Sequence, residues 1–326
     1  MKQAWLALWR PQAWRLGSLE LLLARAMFAW VIYAGFFGGI SQASQSIPVG
    51  LAHFMDLTWM TDWDAQHLVL RVWMVCAVLF VAGVVPLLSC GGMLAVMAAW
   101  GGLRCSYGNI HHGTQIASMV MLGFFLAYLW RLYSERGRRP GLGRRLLWAD
   151  RRTQAGAWWW GLQAAASTYV MAGISKLEIS GWSWLTQLPN MSLHVEKLGL
   201  QHYLGTGEKH WMERAEEYAS VIAAHPILTI VVVGSGLFFE LFAFMALYSR
   251  VHAAVFGVSL IAMHLIIIEV MQLEFPLNSW VLAVFFVNLP FVLAWLARKL
   301  GAPDDRPPPG EDVADGLGLW WMKKRD

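Results

Sequence analysis

The chain has few charged residues. Only 14% of its 326 residues are charged, whereas 57% are hydrophobic, and a typical soluble domain has about 25% charged residues. So much apolar side chain over this length exceeds what one soluble core can bury, which excludes an ordinary soluble domain. The net charge of +4 is small and comes from a few clusters, so it indicates membrane orientation rather than a nucleic-acid-binding surface.

Cysteine is scarce as well. Cys76, Cys90 and Cys105 stand apart, with no CxxC spacing and no even-numbered framework, which argues against a disulfide scaffold and against a thiol-redox catalyst. The sequence also lacks an internal repeat, a Walker or dinucleotide fingerprint, and the inverted halves of many transporters. These absences leave the membrane-embedded part of the chain as the place to look for function.

Apolar segments and tryptophan are abundant instead. Twenty tryptophans are typical of a membrane protein, because Trp gathers at the membrane–water boundary. A membrane-spanning helix needs about 20 mostly apolar residues. The sequence predicts an all-α, multi-pass bundle of about eight spans, the third short and rich in glycine: 19–40, 66–88, 89–103, 115–132, 155–176, 226–248, 251–271 and 277–297.

The distribution of basic residues predicts the orientation of the bundle. The segment between the fourth and fifth spans is rich in arginine, from Arg131 to Arg152, so the positive-inside rule places it in the cytoplasm. Counting in both directions puts the N-terminus, Arg250 and the C-terminal tail inside, and this agreement requires the third span. The expected location is a bacterial inner (cell) membrane.

The bundle has flanking segments of its own. Residues 1–18 predict an interfacial amphipathic segment rather than a cleavable signal peptide, and residues 19–300 form the transmembrane domain. The extracytoplasmic loop 177–225 is expected to hold a helix around 209–219. Residues 301–326, rich in proline and acid, predict a disordered cytoplasmic tail, whose last residues, 320–325, suit an anionic inner leaflet.

Ionisable residues at membrane depth are expensive, so each one is a candidate for function. Lys176 closes the fifth span, where it is either a cation that snorkels to the interface or a neutral base with a lowered pKa. His111 and His112 open the fourth span with Gln115 one turn further in, either as site residues or as a hydrated boundary pair. Because adjacent residues point about 100° apart on a helix, the two histidines do not both serve one site.

Two further polar residues lie within predicted spans. His264 in the seventh span needs a polar partner, whether its role is functional or structural. Glu240 is placed in the inner half of the sixth span, where it is either functional or a helix–helix contact. No pair of residues has the spacing of a metal motif, and a periplasmic metal site stays open only because most histidines fall in the outer half.

Four stretches carry a family resemblance. They are Arg10-Pro11 with Gly17-Ser18-Leu19-Glu20 and Arg25; residues 107–112; the run from Tyr169 to Leu177, with Gly181-Trp182 after it; and Glu240 followed by His264. Together they resemble the HTTM (horizontally transferred transmembrane) domain of the vitamin K-dependent gamma-glutamyl carboxylase family. The third stretch is similar to that family's Tyr-x-x-Ala-Gly-x-x-Lys-Leu…Trp signature.

The resemblance implies a chemistry and a site. In that family the matching lysine deprotonates a vitamin K hydroquinone, which implies that Lys176 is the base and that His112, or else His111, stabilises developing charge. A reduced quinone is the implied cofactor, with His264, Glu240, Gln115, Tyr169 and Trp182 around it. The chain departs from the carboxylase by having only a short tail where the carboxylase has a large lumenal domain.

Three functions follow as expectations. The first is a quinol- or lipid-linked enzyme, carboxylase- or oxygenase-like and formally a lyase, at the outer face of the membrane. The second is a non-catalytic component that binds a lipid or quinone or assembles with a membrane partner protein. The third is a proton-coupled transporter, for which Glu240 is the clear inner-half residue. In each case the expected partners are membrane lipids and a small lipophilic quinol, and not nucleic acid.

Overall fold

The computed structural model describes residues 14–36, 47–106, 114–134, 147–271, 273 and 275–307. Within these ranges the regular structure is helical, and the one strand-like feature is an isolated bridge between Val84 and Trp148. Short 3₁₀ turns connect some of the helices, among them Ala243–Leu247. The helices are α1 Ser18–Phe36, α2 Trp63–Ala82, α3 Pro86–Cys105, α4 Gln115–Ser134, α5 Arg151–Ser180, α6 Ser183–Thr186, α7 Met191–Thr206, α8 Lys209–Ala224, α9 Pro226–Leu241, α10 Arg250–Met271, α11 Pro276–Phe285 and α12 Leu289–Lys299.

Several of these helices can cross a membrane. Helices α1, α2, α3, α4 and α10 are long and apolar enough, and the bent pairs α8–α9 and α11–α12 raise the number in the described chain to as many as seven. The short third span of the prediction is among the five, as α3. The structure therefore confirms an all-α protein with several candidate membrane spans, whereas the count of eight and the orientation stay predictions.

Helix α5 is the predicted span that does not pass this test, although it is 30 residues long. Its middle is made of small and polar residues that suit contact with other helices. Trp158 of α5 stacks on Phe285 with ring centroids 4.1 Å apart. A Cβ added at Gly123 of α4 would lie 2.8 Å from the carbonyl oxygen of Trp160, so the two backbones approach closely. The part of α5 from Ala155 to Tyr169 is thus packed within the bundle, whereas its last turns are largely exposed.

The predicted eighth span is not one straight helix. The axes of α11 and α12 differ by 47°. Asn288 lies between them with φ at 59°, in the left-handed region, and its side chain accepts a hydrogen bond from the backbone N–H of Phe291. Pro290 then occupies the first turn of α12, a position where its missing N–H costs nothing. The Asn-Leu-Pro sequence ends one helix and starts another.

A network of buried polar groups joins several helix starts at one end of the bundle. The carboxylate of Glu20, 1% exposed, accepts hydrogen bonds from Arg250 at 2.6 Å and from the amide of Asn288 at 3.3 Å. The start of α5 lies at the same end of the bundle: Arg151 donates a 2.7 Å hydrogen bond to the backbone carbonyl of Asp305. We call this end the basic end, since it holds Arg15, Arg151, Arg250, Arg298 and Arg306. Such clustering suits the predicted cytoplasmic side.

The flanking segments are described in part. Residues 301–307 of the predicted tail lie against the basic end, where the backbone N–H of Ser18 donates to Asp305 at 2.7 Å. A hydrogen bond from Arg306 holds the pKa of Asp304 below its usual range. Of the predicted interfacial segment 1–18, the described part includes Trp14, which is buried edge-on against Trp159. Residues 1–13 and 308–326 lie outside the described residues.

The opposite end of the bundle carries the predicted loop 177–225. The helix expected around 209–219 is confirmed as α8, and the same segment also forms α6 and α7. Helices α7 and α8 make an antiparallel hairpin around Gly207, whose φ of 76° suits glycine. Helix α8 meets α9 at an angle of 103°, so it runs across this end of the bundle. We call this end the site end.

Candidate functional site

A partly buried ion pair near the site end joins two helices that are distant in sequence. Lys176 of α5 donates to both carboxylate oxygens of Glu240 in α9, at 2.6 and 2.5 Å. The carboxylate side chain is 6% exposed and the lysine side chain 34%. Because the carboxylate is almost fully removed from the surface, the pair is stable only with good geometry. The two-oxygen contact provides that geometry.

Two more polar side chains border this pair. Tyr169 lies two turns before Lys176 on α5, is buried, and is close enough to Glu240 for the charge to act on the phenol. Its hydroxyl has no hydrogen-bond partner within the described chain. The ring of His264, from α10, lies 5.9 Å from the Tyr169 ring and interacts electrostatically with Lys176. His264 Nδ1 lies 3.4 Å from the hydroxyl of Ser279, so its polar partner comes from α11.

Aromatic rings line the rest of the cluster. Lys176 Nζ lies 5.3 Å from the centre of the Trp184 ring in α6, a cation–π contact. Phe275 also contacts His264, with ring centroids 5.7 Å apart. The result is a small group of titratable side chains between flat apolar faces. We call Lys176, Glu240, Tyr169, His264 and Trp184 the lysine cluster.

Gly173 explains how α9 reaches Lys176. One turn before the lysine on the same face of α5, a Cβ added at Gly173 would lie 3.0 Å from the Leu241 side chain and 3.2 Å from its backbone nitrogen. Leu241 is the last residue of α9 and follows Glu240 directly. The glycine therefore lets the end of α9 approach α5 closely enough for Glu240 to reach Lys176.

We expect Gly173→Val to separate the ends of these helices. The added methyl groups overlap Leu241, and overpacking of this kind costs about 1–3 kcal/mol. The measurement is the free energy of unfolding in mixed micelles, together with the reactivity of Lys176 toward an amine reagent, which should rise.

Gly205→Ala is the matched control for that variant. Gly205 lies in helix α7, and an added Cβ there meets nothing within 4 Å, so alanine should leave stability unchanged or raise it slightly. Equal losses of stability from the two variants would show that the contact with Leu241 is unimportant.

The ion pair brings two predicted depths into conflict. Lys176 is predicted at the outer boundary and Glu240 in the inner half of its span, but their direct contact places the two side chains at one depth in the bundle. Helix α9 ends just after Glu240, and the chain continues as a 3₁₀ turn. The positions of both residues relative to the membrane stay predictions, and so does the transporter interpretation.

The other predicted site residues fall into three sets. His111 and His112 lie outside the described residues. Gln115 is exposed at the first position of α4, and Trp182 is 75% exposed just after α5. Trp184, two residues later, is the tryptophan that contacts Lys176. Tyr169, His264 and Glu240, in contrast, all belong to the lysine cluster.

The chain shows no match to known proteins. No family model, curated protein or solved structure matches it. The family resemblance therefore stays a prediction, and the function must be argued from the site. In the described part of the chain, no group of three or more His, Cys, Asp and Glu side chains could hold a metal ion, so no residue is assigned to a metal.

Sequence reasoning missed three members of the surroundings. Trp184 comes from α6, whereas Phe275 and Ser279 come from the start of α11, and none of the three has a local motif. Trp184 could have been found from the short spacing between it and Lys176. The partners of His264 could not, because they depend on how α11 packs against α10.

Proposed function

We propose that the protein is an integral membrane enzyme that removes a proton from a lipophilic quinol, with Lys176 as the base. One observation carries the proposal: the amine of Lys176 is paired with a buried carboxylate, beside a buried phenol that has no hydrogen-bond partner in the described chain. The family resemblance implies the same base. The outer face of a bacterial inner membrane is the proposed location.

Glu240 gives Lys176 a way to become a base. Separated charges are costly where water is scarce, and transferring one proton from Nζ to the carboxylate leaves a neutral amine beside a neutral acid. In that step an N–H bond breaks and an O–H bond forms. The lone pair on Nζ is then free to accept a proton from a substrate hydroxyl. The new ammonium stays next to the oxygen that lost the proton and stabilises its charge.

The surroundings of the pair suit a planar phenolic ring. The unpartnered hydroxyl of Tyr169 can donate a hydrogen bond to a substrate oxygen, and His264 can stabilise charge at the same oxygen. Trp184 and Phe275 offer flat apolar faces for stacking. A bound hydroquinone would supply an acidic hydroxyl and two reducing electrons. The residues present therefore fit a reduced quinone, and carboxylase- or oxygenase-like use of it is the proposed overall reaction.

A second function is favoured by the completeness of the ion pair. Lys176 and Glu240 already satisfy each other through two hydrogen bonds, which is also what a structural contact between helices would show. In that case the protein is a non-catalytic lipid- or quinone-binding component that assembles with a membrane partner, and the lysine serves only to balance the glutamate.

The two functions predict different effects of a conservative substitution at Lys176. Purified protein in nanodiscs is supplied with a hydroquinone and oxygen, and the rate of hydroquinone consumption is compared with that of empty nanodiscs. We expect Lys176→Arg and Lys176→Ala to lose the excess rate, because arginine does not release its proton. Lys209→Ala, which removes an exposed lysine of α8, should keep it.

Three outcomes decide between the functions. A rate that survives Lys176→Ala would overturn the catalytic role. Hydroquinone binding without consumption, unchanged in Lys176→Arg, would favour the non-catalytic component. Loss of both binding and rate in Lys176→Arg, with folding intact, would show that the amine itself is needed at the site.

A further inference from the structure

Helix α7 leaves one apolar face without a partner in the described chain. Leu193, Leu200 and Leu204 are 67%, 46% and 74% exposed, and their spacing of seven and four residues places them on one side of the helix. We call these three residues the leucine stripe. Lys197 lies on the same side and is exposed.

The opposite face of α7 is already used. Val195 and Gly199 are buried, and a Cβ added at Gly199 would overlap the side chain of Ala215 in α8. The rings of His202 and Trp211 lie nearby, with centroids 5.3 Å apart and planes tilted by 33°. The hairpin of α7 and α8 is therefore a packed unit, and the leucine stripe faces away from α8.

Contacts with the bundle fix the hairpin across the site end. Arg214 and Tyr218 of α8 both bind Glu269, near the end of α10. Helix α8 is bent by 103° from the axis of α9, so the two helices do not form one straight helix. Helix α7 runs antiparallel to α8 and so follows the same direction across the end of the bundle.

We infer that the leucine stripe lies in the lipid interface at the site end, with α7 parallel to the membrane plane. The exposed side chains of Ile179 and Trp182, 83% and 75% exposed at the end of α5, extend the apolar surface from the bundle toward the hairpin. Lys197 lies among the leucines, where a long basic side chain can reach lipid phosphates from an apolar face. A lipid surface matches this combination.

The charge on α8 fixes which side of the hairpin meets lipid. Glu213, Glu216 and Glu217 are exposed on α8, and carboxylates are repelled by lipid phosphates. The leucine stripe thus enters the interface while the acidic side of α8 stays in water. This inference concerns the position of the hairpin relative to the membrane, and it does not depend on whether Lys176 is a base.

Photoreactive lipids can test, on the unmodified protein, whether the leucine stripe lies in the lipid interface. The protein is reconstituted in vesicles that contain a phospholipid with a diazirine in its acyl chain close to the headgroup, irradiated and digested. We expect lipid adducts on the peptide that holds 193–204 and none on the peptide that holds 213–217. Adducts on both peptides or on the second alone would overturn the inference.

Spin labels give a second measurement on the same surface. In a background with Cys76, Cys90 and Cys105 replaced by alanine, labels at Leu200→Cys and at the control Glu216→Cys are compared in vesicles. Leu200 should collide with oxygen and be protected from a water-soluble nickel chelate, and Glu216 should show the reverse. A Leu200 label open to the chelate would overturn the inference, as would one shielded from both reagents, which indicates a second copy or a partner protein on the stripe.

Discussion

Lys176→Met should lower the free energy of unfolding by about 3 kcal/mol, because it leaves the Glu240 carboxylate buried without its counter-charge. The value lies at the lower end for a buried pair since the lysine side chain is 34% exposed. Glu240→Leu should cost a similar amount by leaving the ammonium unpaired. The double variant should be more stable than either single variant, because two apolar side chains replace the pair.

A double-mutant cycle measures this coupling directly. The free energies of unfolding of the four proteins are determined in mixed micelles or by pulling in bicelles, with Lys209→Met as the control for loss of an exposed lysine. If the two single effects simply add in the double variant, the ion pair does not form in the membrane and the proposed route for the proton disappears with it. All variants that lack Lys176 or Glu240 should be without hydroquinone consumption.

Glu20→Gln should produce a loss of stability of about 3–5 kcal/mol. Glu20 is 1% exposed and is the carboxylate that balances Arg250, so the amide leaves a guanidinium largely surrounded by protein without a counter-charge. The change also weakens the junction of α1, α10 and α12. We therefore expect faster proteolysis of the segment 301–307, which lies against that junction.

Asp304→Asn is the control for this second prediction. Asp304 pairs with Arg306 at the protein surface, where an ion pair contributes little, so this variant should unfold almost as the parent does. Equal losses from Glu20→Gln and Asp304→Asn would contradict the idea that burial makes the Glu20 network important. Adding Arg250→Met to Glu20→Gln should restore part of the stability.

Much of the fold could be predicted from the sequence, because apolar length is a local property. The helices α1, α2, α3, α4 and α10 correspond to predicted spans, and the Gly-rich third span was retained only because the basic residues required it. Helix α8 was expected from its composition. The break at Asn288 could also have been recognised, since an Asn-Leu-Pro sequence within a predicted span indicates a new helix start.

The site was predictable only in its individual members. Lys176, His264 and Glu240 are predicted as polar residues in or at the end of spans, and Tyr169 through the family resemblance. Their assembly depends on contacts between helices that are distant in sequence, such as those of Lys176 with Glu240 and of Tyr169 with His264. Counting residues along 226–248 placed Glu240 deeper than Lys176, whereas the ion pair places the two side chains at the same depth. No local pattern shows that the end of α9 packs against Gly173, which lies on another helix.

The small, polar centre of α5 has a consequence for how the protein is made. A segment that is not apolar enough to partition into lipid by itself has no strong tendency to leave the translocation machinery sideways. We therefore expect α5 to insert together with α4, which is apolar enough to cross, precedes it and approaches it closely at Gly123. On this expectation the lysine cluster forms only after the two helices have entered the bilayer as a hairpin.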